Sequence, residues 1–488
     1  NPAIDALQFP DENGNLTSYS TGKWPNATIL LSPRVGFRWK VPEEKGLVLR
    51  GGTGIFTGKI PFVFLTNMPS NSGVYQNGVI LNKAADLAGI TFNPNPDAYV
   101  SKFPPNITAK APGSFVLIDR NFKFPQVFRT NLGIDKQLGN GLVATVDILY
   151  TKDLNAVKMR NANLIDPTGT LSGADDRKYY PSTQTSGAKF VHPEVGSVIV
   201  LENTKKGYSF SSSFQLAKAF ANGFYGSLAY TYTLATEVSP NPGSQATSAW
   251  QSIINRGTPN DVELYNSAYS TPHRVVGTIS YRKEYANHFA STLSFFYEGA
   301  NQARFNYIIG GDVNGDGNNS SDLMFIYAKG SDVPFIDVKN SDGSIKYSIA
   351  DQQSAYDQLV SNDPYLKKHK GQYAERNSAL TPWYNKIDMR FLQDFFIKTG
   401  SVKHTLQFSV DILNLPNLLN KDWGIKQYTA LGSATNFINN PLSFKGIVGG
   451  APTYTLAEYN KALITTPFQK DISTFSTWGM QLGLRYIF

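Results

Sequence analysis

Ser476-Thr477-Trp478-Gly479-Met480-Gln481-Leu482-Gly483-Leu484-Arg485-Tyr486-Ile487-Phe488 ends the sequence and decides how the rest is read. Trp478, Met480, Leu482, Leu484, Tyr486 and Phe488 share one parity, and Gly479, Gln481, Gly483, Arg485 and Ile487 share the other. A period of two belongs to a strand, whose successive side chains stand on opposite faces. Here one face is apolar and aromatic and the other mostly small or polar. Alone, such a strand fits a soluble sheet with one wet face as well as it fits a strand crossing a bilayer. The choice depends on whether the pattern repeats.

It repeats along the chain. Val35, Phe37, Trp39 and Val41 oppose Arg34, Gly36, Arg38 and Lys40, and after a turn at 42–46 a second strand returns over 47–57. Leu142, Ala144, Val146, Ile148 and Tyr150 oppose Thr145 and Asp147 behind the tight turn Gly139-Asn140-Gly141. Phe214 and Leu216 alternate with Ser213 and Gln215 before a turn at 219–223, and Leu228, Tyr230 and Tyr232 alternate with Ala229, Thr231 and Thr233 after it. Ile279 and Tyr281 lead into a turn at 282–288, and Leu293, Phe295 and Tyr297 lead out. Met389 and Phe391 oppose Asp388 and Arg390; Leu406, Phe408 and Val410 oppose Gln407, Ser409 and Asp411.

Short turns alternate strictly with long excursions, expected at 59–123, 151–205, 235–270, 299–383 and 414–474. A membrane up-and-down barrel sorts its connections in this way, with short turns on the periplasmic side and long loops outside. A soluble sandwich has no reason to do so. The expected fold is therefore all-β, a transmembrane antiparallel up-and-down β-barrel over residues 33–488 with about eleven strands. Residues 1–32 are expected to form an irregular extracellular segment. The apolar parity meets outer-membrane lipid, and the parity carrying Arg38, Asp147, Gln215, Asp388, Arg390 and Arg485 meets a wet lumen. Trp39, Tyr150, Tyr232, Tyr281, Trp478 and Tyr486 sit where interface girdles would. Bacterial single-chain barrels have even strand numbers, and an open odd sheet would leave unpaired edges in hydrocarbon. The first half of the barrel is accordingly expected upstream or on a separate chain.

Composition agrees with alternation. Aromatic residues reach 13%, yet mean hydropathy is only -0.27 over 488 residues. No apolar run of roughly 18 residues exists, so neither a transmembrane helix nor, at Asn1, a signal peptide is read; an exported chain would be a mature or truncated form. The absence of cysteine excludes disulfides and thiolate metal sites. A net charge of +8 is spread along the chain rather than clustered, so nucleic acid is not expected as a partner.

Asp312-Val313-Asn314-Gly315-Asp316-Gly317-Asn318 places oxygen ligands at the first, third and fifth positions and glycine at the sixth, as an EF-hand-type loop does. Asp322 follows one position short of the usual acid. Asp312, Asn314, Asp316, Asn318 and Asp322 are thus candidate ligands of a structural Ca²⁺, against the alternative of a solvated Asn/Asp/Gly turn. Gly52-Thr53-Gly54-Ile55-Phe56-Thr57-Gly58 only superficially resembles a dinucleotide loop and reads as glycines on a barrel strand. The five histidines are dispersed, no HExxH, GxSxG or P-loop occurs, and Asp175-Asp176 lies in a loop without a hydrophobic pocket, so no enzyme is expected. Residues 351–361 and 455–464 read as short helices. The aromatic stretches 62–75 and 305–327 are where ligand or partner contacts are expected.

Ser32-Pro33-Arg34-Val35-Gly36-Phe37, residues 49–58, residues 312–324 and residues 404–423, ending Asn417-Leu418-Leu419-Asn420-Lys421-Asp422-Trp423, together resemble the C-terminal half of TonB-dependent outer-membrane transporters. The likeness is to the Bacteroidota Oar-like group and, more distantly, the SusC-like group. Terminal Phe488 is similar to the aromatic signal read by the barrel assembly machinery. The resemblance implies a barrel of roughly twenty-two strands with this chain as its second half. It implies import of a scarce or bulky solute, driven by a TonB-type periplasmic motor through a plug that these residues do not include, with a surface lipoprotein as a further partner. The alternative is a non-coupled barrel acting as a passive channel or as a scaffold in a surface complex.

Overall fold

A computed structural model describes residues 1–75, 84–102, 110–181, 188–219, 222–261, 263–432 and 438–488. Its frame is one antiparallel sheet of eleven strands in sequence order. They are β1 (Arg34–Lys40), β2 (Leu47–Thr57), β3 (Gln126–Gly139), β4 (Leu142–Asn161), β5 (Tyr208–Ala219), β6 (Phe224–Glu237), β7 (His273–Tyr285), β8 (Phe289–Asn301), β9 (Trp383–Thr399), β10 (Val402–Leu413) and β11 (Gly479–Ile487). Short turns close β1–β2, β3–β4, β5–β6, β7–β8 and β9–β10, while every other junction is long. The β3–β4 turn uses left-handed Asn140 (φ 48°) and Gly141 (φ 74°), the mirror-type turn whose twist suits a hairpin. Residues 220 and 221, in the expected turn at 219–223, lie outside the described residues.

Register keeps one parity on one face across the sheet. Phe37 pairs with Gly51, Gly51 with Leu132 and Leu132 with Ile148. Further along, Tyr281 pairs with Leu293, Leu293 with Phe391, Phe391 with Val410 and Val410 with Leu482. These apolar side chains are uncovered by protein: Leu228 is 55% exposed, Leu482 60% and Leu484 72%. An apolar face this broad left open needs an apolar medium. The opposite face carries ion pairs. Arg50 of β2 bridges Asp135 of β3 (3.0 Å) and Asp147 of β4 (2.7 Å). Arg282 of β7 meets Asp394 of β9 (2.8 Å), which also accepts from Gln407 of β10 (2.8 Å).

At Gly51 the strands approach too closely for any side chain. A Cβ there would lie 2.8 Å from the Asn131 carbonyl oxygen and 2.8 Å from the Phe37 ring. Among the described residues the sheet does not close. β1 pairs only with β2 and β11 only with β10, and both outer strands run from the long-connection end to the short-turn end.

The long connections are not loose loops. They pack into a folded layer, hereafter the roof, with three hydrophobic clusters. In the largest, Phe305, Ile309, Met324, Tyr356, Leu359 and Leu442 are sealed from solvent. A four-stranded sheet orders Ala379–Leu380, Arg304–Gly310, Ile438–Val448 and Ala451–Leu456, with the middle pair parallel. β4 ties roof to wall: beyond its pairing with β5 it runs on to Asn161 and pairs with Val198–Thr204, itself parallel to Phe115–Ile118.

Three sequence expectations are corrected here. The excursion set at 151 begins eleven residues too early, because β4 ends at Asn161; its polar stretch at Lys152, Asp153 and Asn155 still pairs with β3, and residues 156–161 then gain Val198–Thr204 as a new partner. Residues 1–32 are not irregular throughout: Pro2–Asp5 is a helical turn, Gln8–Pro10 pairs with Leu16–Ser18, and Ile4 and Phe9 are buried with Phe115 and Leu117. Residues 455–464 are not a helix. Glu458–Tyr459 pairs with Ala462–Leu463 around Asn460 (φ 53°) and Lys461 (φ 66°), a turn that reverses the chain. The helix expected at 351–361 exists as Ile349–Asn362, started by the reciprocal cap of Ser348 and Asp351. No helix among the described residues is long and apolar enough to cross a membrane, and the spanning elements are strands.

Candidate functional site

Two features join the roof to the wall: a buried ionic knot within the roof and a polar pocket beneath it. In the knot, Arg177 is completely buried and donates from Nε and Nη2 to the two oxygens of Asp175, at 2.9 Å each. Its Nη1 reaches Asp322 (3.3 Å), and Nη2 also reaches the Leu323 carbonyl (2.8 Å). The hydroxyls of Tyr373 (2.8 Å) and Tyr454 (3.0 Å) donate to Asp175. Burial alone pulls the Arg177 guanidinium down, but the carboxylates of Asp175 and Asp322 more than reverse this and hold it charged. Tyr373 is held between two guanidiniums, Arg177 (5.6 Å) and Arg256 (4.1 Å). Four long connections therefore meet at one fully paired cluster. Asp175 does not lie in a loop without a pocket, as its sequence context suggests; Tyr373 and Tyr454 arrive from 198 and 279 residues away to bury it.

The expected cation loop sits beside this knot. Asp312 Oδ2 accepts from the Gly317 N–H (2.8 Å), Asp316 Oδ1 from the Asn318 N–H (2.7 Å) and Asn314 Oδ1 from the Asp316 N–H (3.0 Å). Asp322 is engaged elsewhere: Oδ1 by Arg177, and Oδ2 by the N–H groups of Val313 (2.8 Å) and Asn314 (3.4 Å). The structure thus curls Asp312, Asn314, Asp316 and Asn318 into one turn and commits Asp322 to bracing it. Among the described residues no three His, Cys, Asp or Glu side chains gather as a metal-ligand set. Two observations still favour a hard cation. Asp312 Oδ1 is buried without a partner. Burial, and then the charge of Asp312, push Asp316 up to about 6, against the pull of the Lys189 ammonium, which donates to the Gly315 carbonyl of the same turn (3.2 Å).

The pocket, about 480 Å³, lies on the polar face of the sheet at its long-connection end. Thr231 and Thr233 of β6, Arg274 of β7, Glu298 of β8 and Tyr384 of β9 form its wall, and Tyr269, Thr271, Gln302 and Lys426 descend from the roof. Arg274 donates from Nε to Glu298 Oε1 (2.9 Å), and its Nη2 forms an ion pair with the same oxygen (2.7 Å). Ser270 is fixed by Arg304 Nε (2.7 Å), and Lys426 Nζ stands 5.0 Å from the Tyr384 ring centre.

Residues 2–437 match the outer membrane beta barrel domain family. The chain belongs to that family. Its apolar face is therefore lipid-facing, its polar face lumenal, and its cellular place the outer membrane. No curated protein matches. Solved structures similar to it include the ferric enterobactin receptor of Pseudomonas aeruginosa (10% identity, TM-score 0.38, 93% of this chain and 40% of that one). Others are the outer membrane transporter YddB of Escherichia coli (10%, 0.36, 93% and 40%) and the siderophore receptor PirA of Acinetobacter baumannii (10%, 0.34, 83% and 38%). This outer-membrane barrel spans about two fifths of the length of those chains.

The aromatic stretch 305–327, expected to touch ligand, is instead roof core: Phe305, Tyr307 and Tyr327 are 0%, 1% and 3% exposed. In 62–75, Phe64 and Met68 are buried, while Phe62 and Tyr75 face out. The pocket is not legible in the sequence because its walls come from four strands and three connections. Its only sequence trace is the lumenal parity of Thr231, Arg274 and Glu298.

Proposed function

We propose that this chain is the C-terminal half of a TonB-dependent outer-membrane transporter that imports a scarce or bulky solute. The observation that carries the reading is the pair of open edges. β1 and β11 run the same way, so a second copy of this chain in the same orientation would meet β11 with a parallel strand, which an antiparallel barrel excludes. Closure needs an odd number of further strands whose outer members run the opposite way, as eleven more in a barrel of roughly twenty-two would.

Two features support gated rather than passive passage. The roof is a packed layer with sealed cores, not a fringe of solvated loops. The lumenal side of the first strands also carries Arg34, Arg38, Lys40, Arg50 and Arg129 against Asp135 and Asp147, a cationic sector suited to an acidic plug surface. A structural Ca²⁺ would be held by oxygens of Asp312, Asn314 and Asp316 with the backbone at Asn318, Asp322 bracing the turn through Val313 and Asn314. Such an ion would supply charge neutralisation and rigidity to the roof. A surface lipoprotein would sit on the roof's outer side.

The test compares nutrient uptake in a strain lacking the gene with uptake in a strain lacking the periplasmic motor. A coupled transporter predicts that the nutrients lost with the gene are also lost with the motor. Uptake that needs the gene but survives loss of the motor would instead indicate a passive channel.

A further inference from the structure

We propose that the polar pocket at the top of the lumen recognises a carboxylate carried on a hydrophilic solute, anchored by Lys426 and the Nη1 edge of Arg274. This deepens the import reading and rests on it.

Thr231, Arg274, Glu298 and Tyr384 lie in lumenal register at the extracellular ends of their strands, directly beneath the roof residues that complete the pocket. A solute passing the roof meets the wall there.

Charge comes next. The lining holds two cations, Arg274 and Lys426, and one acid, Glu298. Arg274 spends Nε and Nη2 on Glu298, which neutralises that acid and leaves Nη1 without a hydrogen-bond or ion-pair partner among the described residues. Lys426 makes no carboxylate contact among the described residues, and its ammonium is poised over the Tyr384 ring. Among the lining side chains one positive charge is therefore in excess, although Lys426 also attracts Glu298 and Asp471 through space; in a concave, partly desolvated site a charge-assisted hydrogen bond to an anion is strengthened. A cationic solute would be repelled.

The neutral lining defines the rest of the ligand. The side-chain amides of Asn301 and Gln302 each donate one N–H, to the carbonyls of Thr381 (3.2 Å) and Gln427 (3.4 Å), which leaves each with its oxygen as an acceptor and a second N–H. Thr231, Tyr269 and Thr271 add hydroxyls. Acceptors and hydroxyls suit a body bearing O–H or N–H groups, and a volume of about 480 Å³ admits a solute of short-oligomer size. A sugar acid and a short peptide share this chemistry, and the experiment separates them.

Full-length protein in detergent is titrated calorimetrically with trigalacturonate and its methyl ester, and with N-acetyl-triglycine and its amide. The expected result is that one of the acids binds at least about tenfold more tightly than its neutral counterpart, with the preference shrinking as salt rises. Which acid binds identifies the body as sugar or peptide. Lys426→Gln is expected to abolish the preference while the protein keeps its heat-modifiable gel mobility; Arg274 is left intact because it also holds Glu298. Equal binding of acid and neutral forms, no binding of either acid, or an unchanged preference in Lys426→Gln would overturn the proposal. Motor-dependent uptake is read separately in cells, so a protein that supports it yet shows none of these preferences refutes the pocket and not the transporter.

Discussion

Arg177 Nη1 lies 3.3 Å from Asp322 Oδ1, although 145 residues separate them in sequence and both side chains are wholly buried. The pair links the connection after β4 to the one after β8, and Tyr454 brings in the connection after β10. Replacing Arg177 with methionine keeps the bulk but strands Asp175 and Asp322 in the core. Removing one partner of a buried pair costs about 3–5 kcal/mol. The expected outcome is rapid proteolysis of the roof while the heat-modifiable barrel band persists, because the wall strands hold their own ladders.

Chelation tests the cation loop. If Ca²⁺ occupies the turn at Asp312, Asn314, Asp316 and Asn318, EDTA should raise protease sensitivity near residue 315, and Asp316→Asn should do so without EDTA. Saturation at about one hundred times Kd would stabilise the folded loop by about 2.7 kcal/mol. Unchanged protection with and without chelator would remove the ion from the account and leave a solvated turn.

Gly51→Val tests the close approach of β1, β2 and β3. The added Cβ meets the Asn131 backbone and the Phe37 ring at 2.8 Å each, and overpacking of this kind costs about 1–3 kcal/mol. The expected readout is a lower urea midpoint for the folded band, with Gly58→Val, whose Cβ would have nothing nearer than 3.8 Å, close to wild type.

Adjacent residues on β6 test the two faces. Leu228 points to lipid beside Leu216 and Gly277, and Ala229 points to the lumen beside Gln215 and Val276. Leu228→Arg should destabilise the barrel by about 2–4 kcal/mol if it lies near the bilayer midplane, and Ala229→Arg far less. Equal effects in folding titrations would contradict the assignment.

The wall was legible in the sequence because each strand carries its own evidence. Alternation at Tyr281, Leu293 and Leu482 is local, and sorted turn lengths order the strands without any long-range information. The roof was not legible. Phe305, Tyr307 and Tyr327 look like recognition aromatics until chain from distant connections covers them, and β4 extends from Ala156 to Asn161 because Val198–Thr204 offers it a new edge. Asp322 could be placed in the right turn from spacing, but its commitment to Arg177 depends on a contact 145 residues away. Lys426 and Arg274 carry no motif at all, and only folding puts them in one pocket.

β8 and its neighbours cross the outer membrane with alternate residues in lipid and in the lumen. The chain has no cysteine, so single cysteines at positions 293 to 298 can each take a spin label without competition within it. Lipid-soluble oxygen is expected to relax labels at Leu293, Phe295 and Tyr297, and an aqueous nickel chelate those at Ser294, Phe296 and Glu298. Equal access of the nickel chelate to all six positions, or a period other than two, would contradict it.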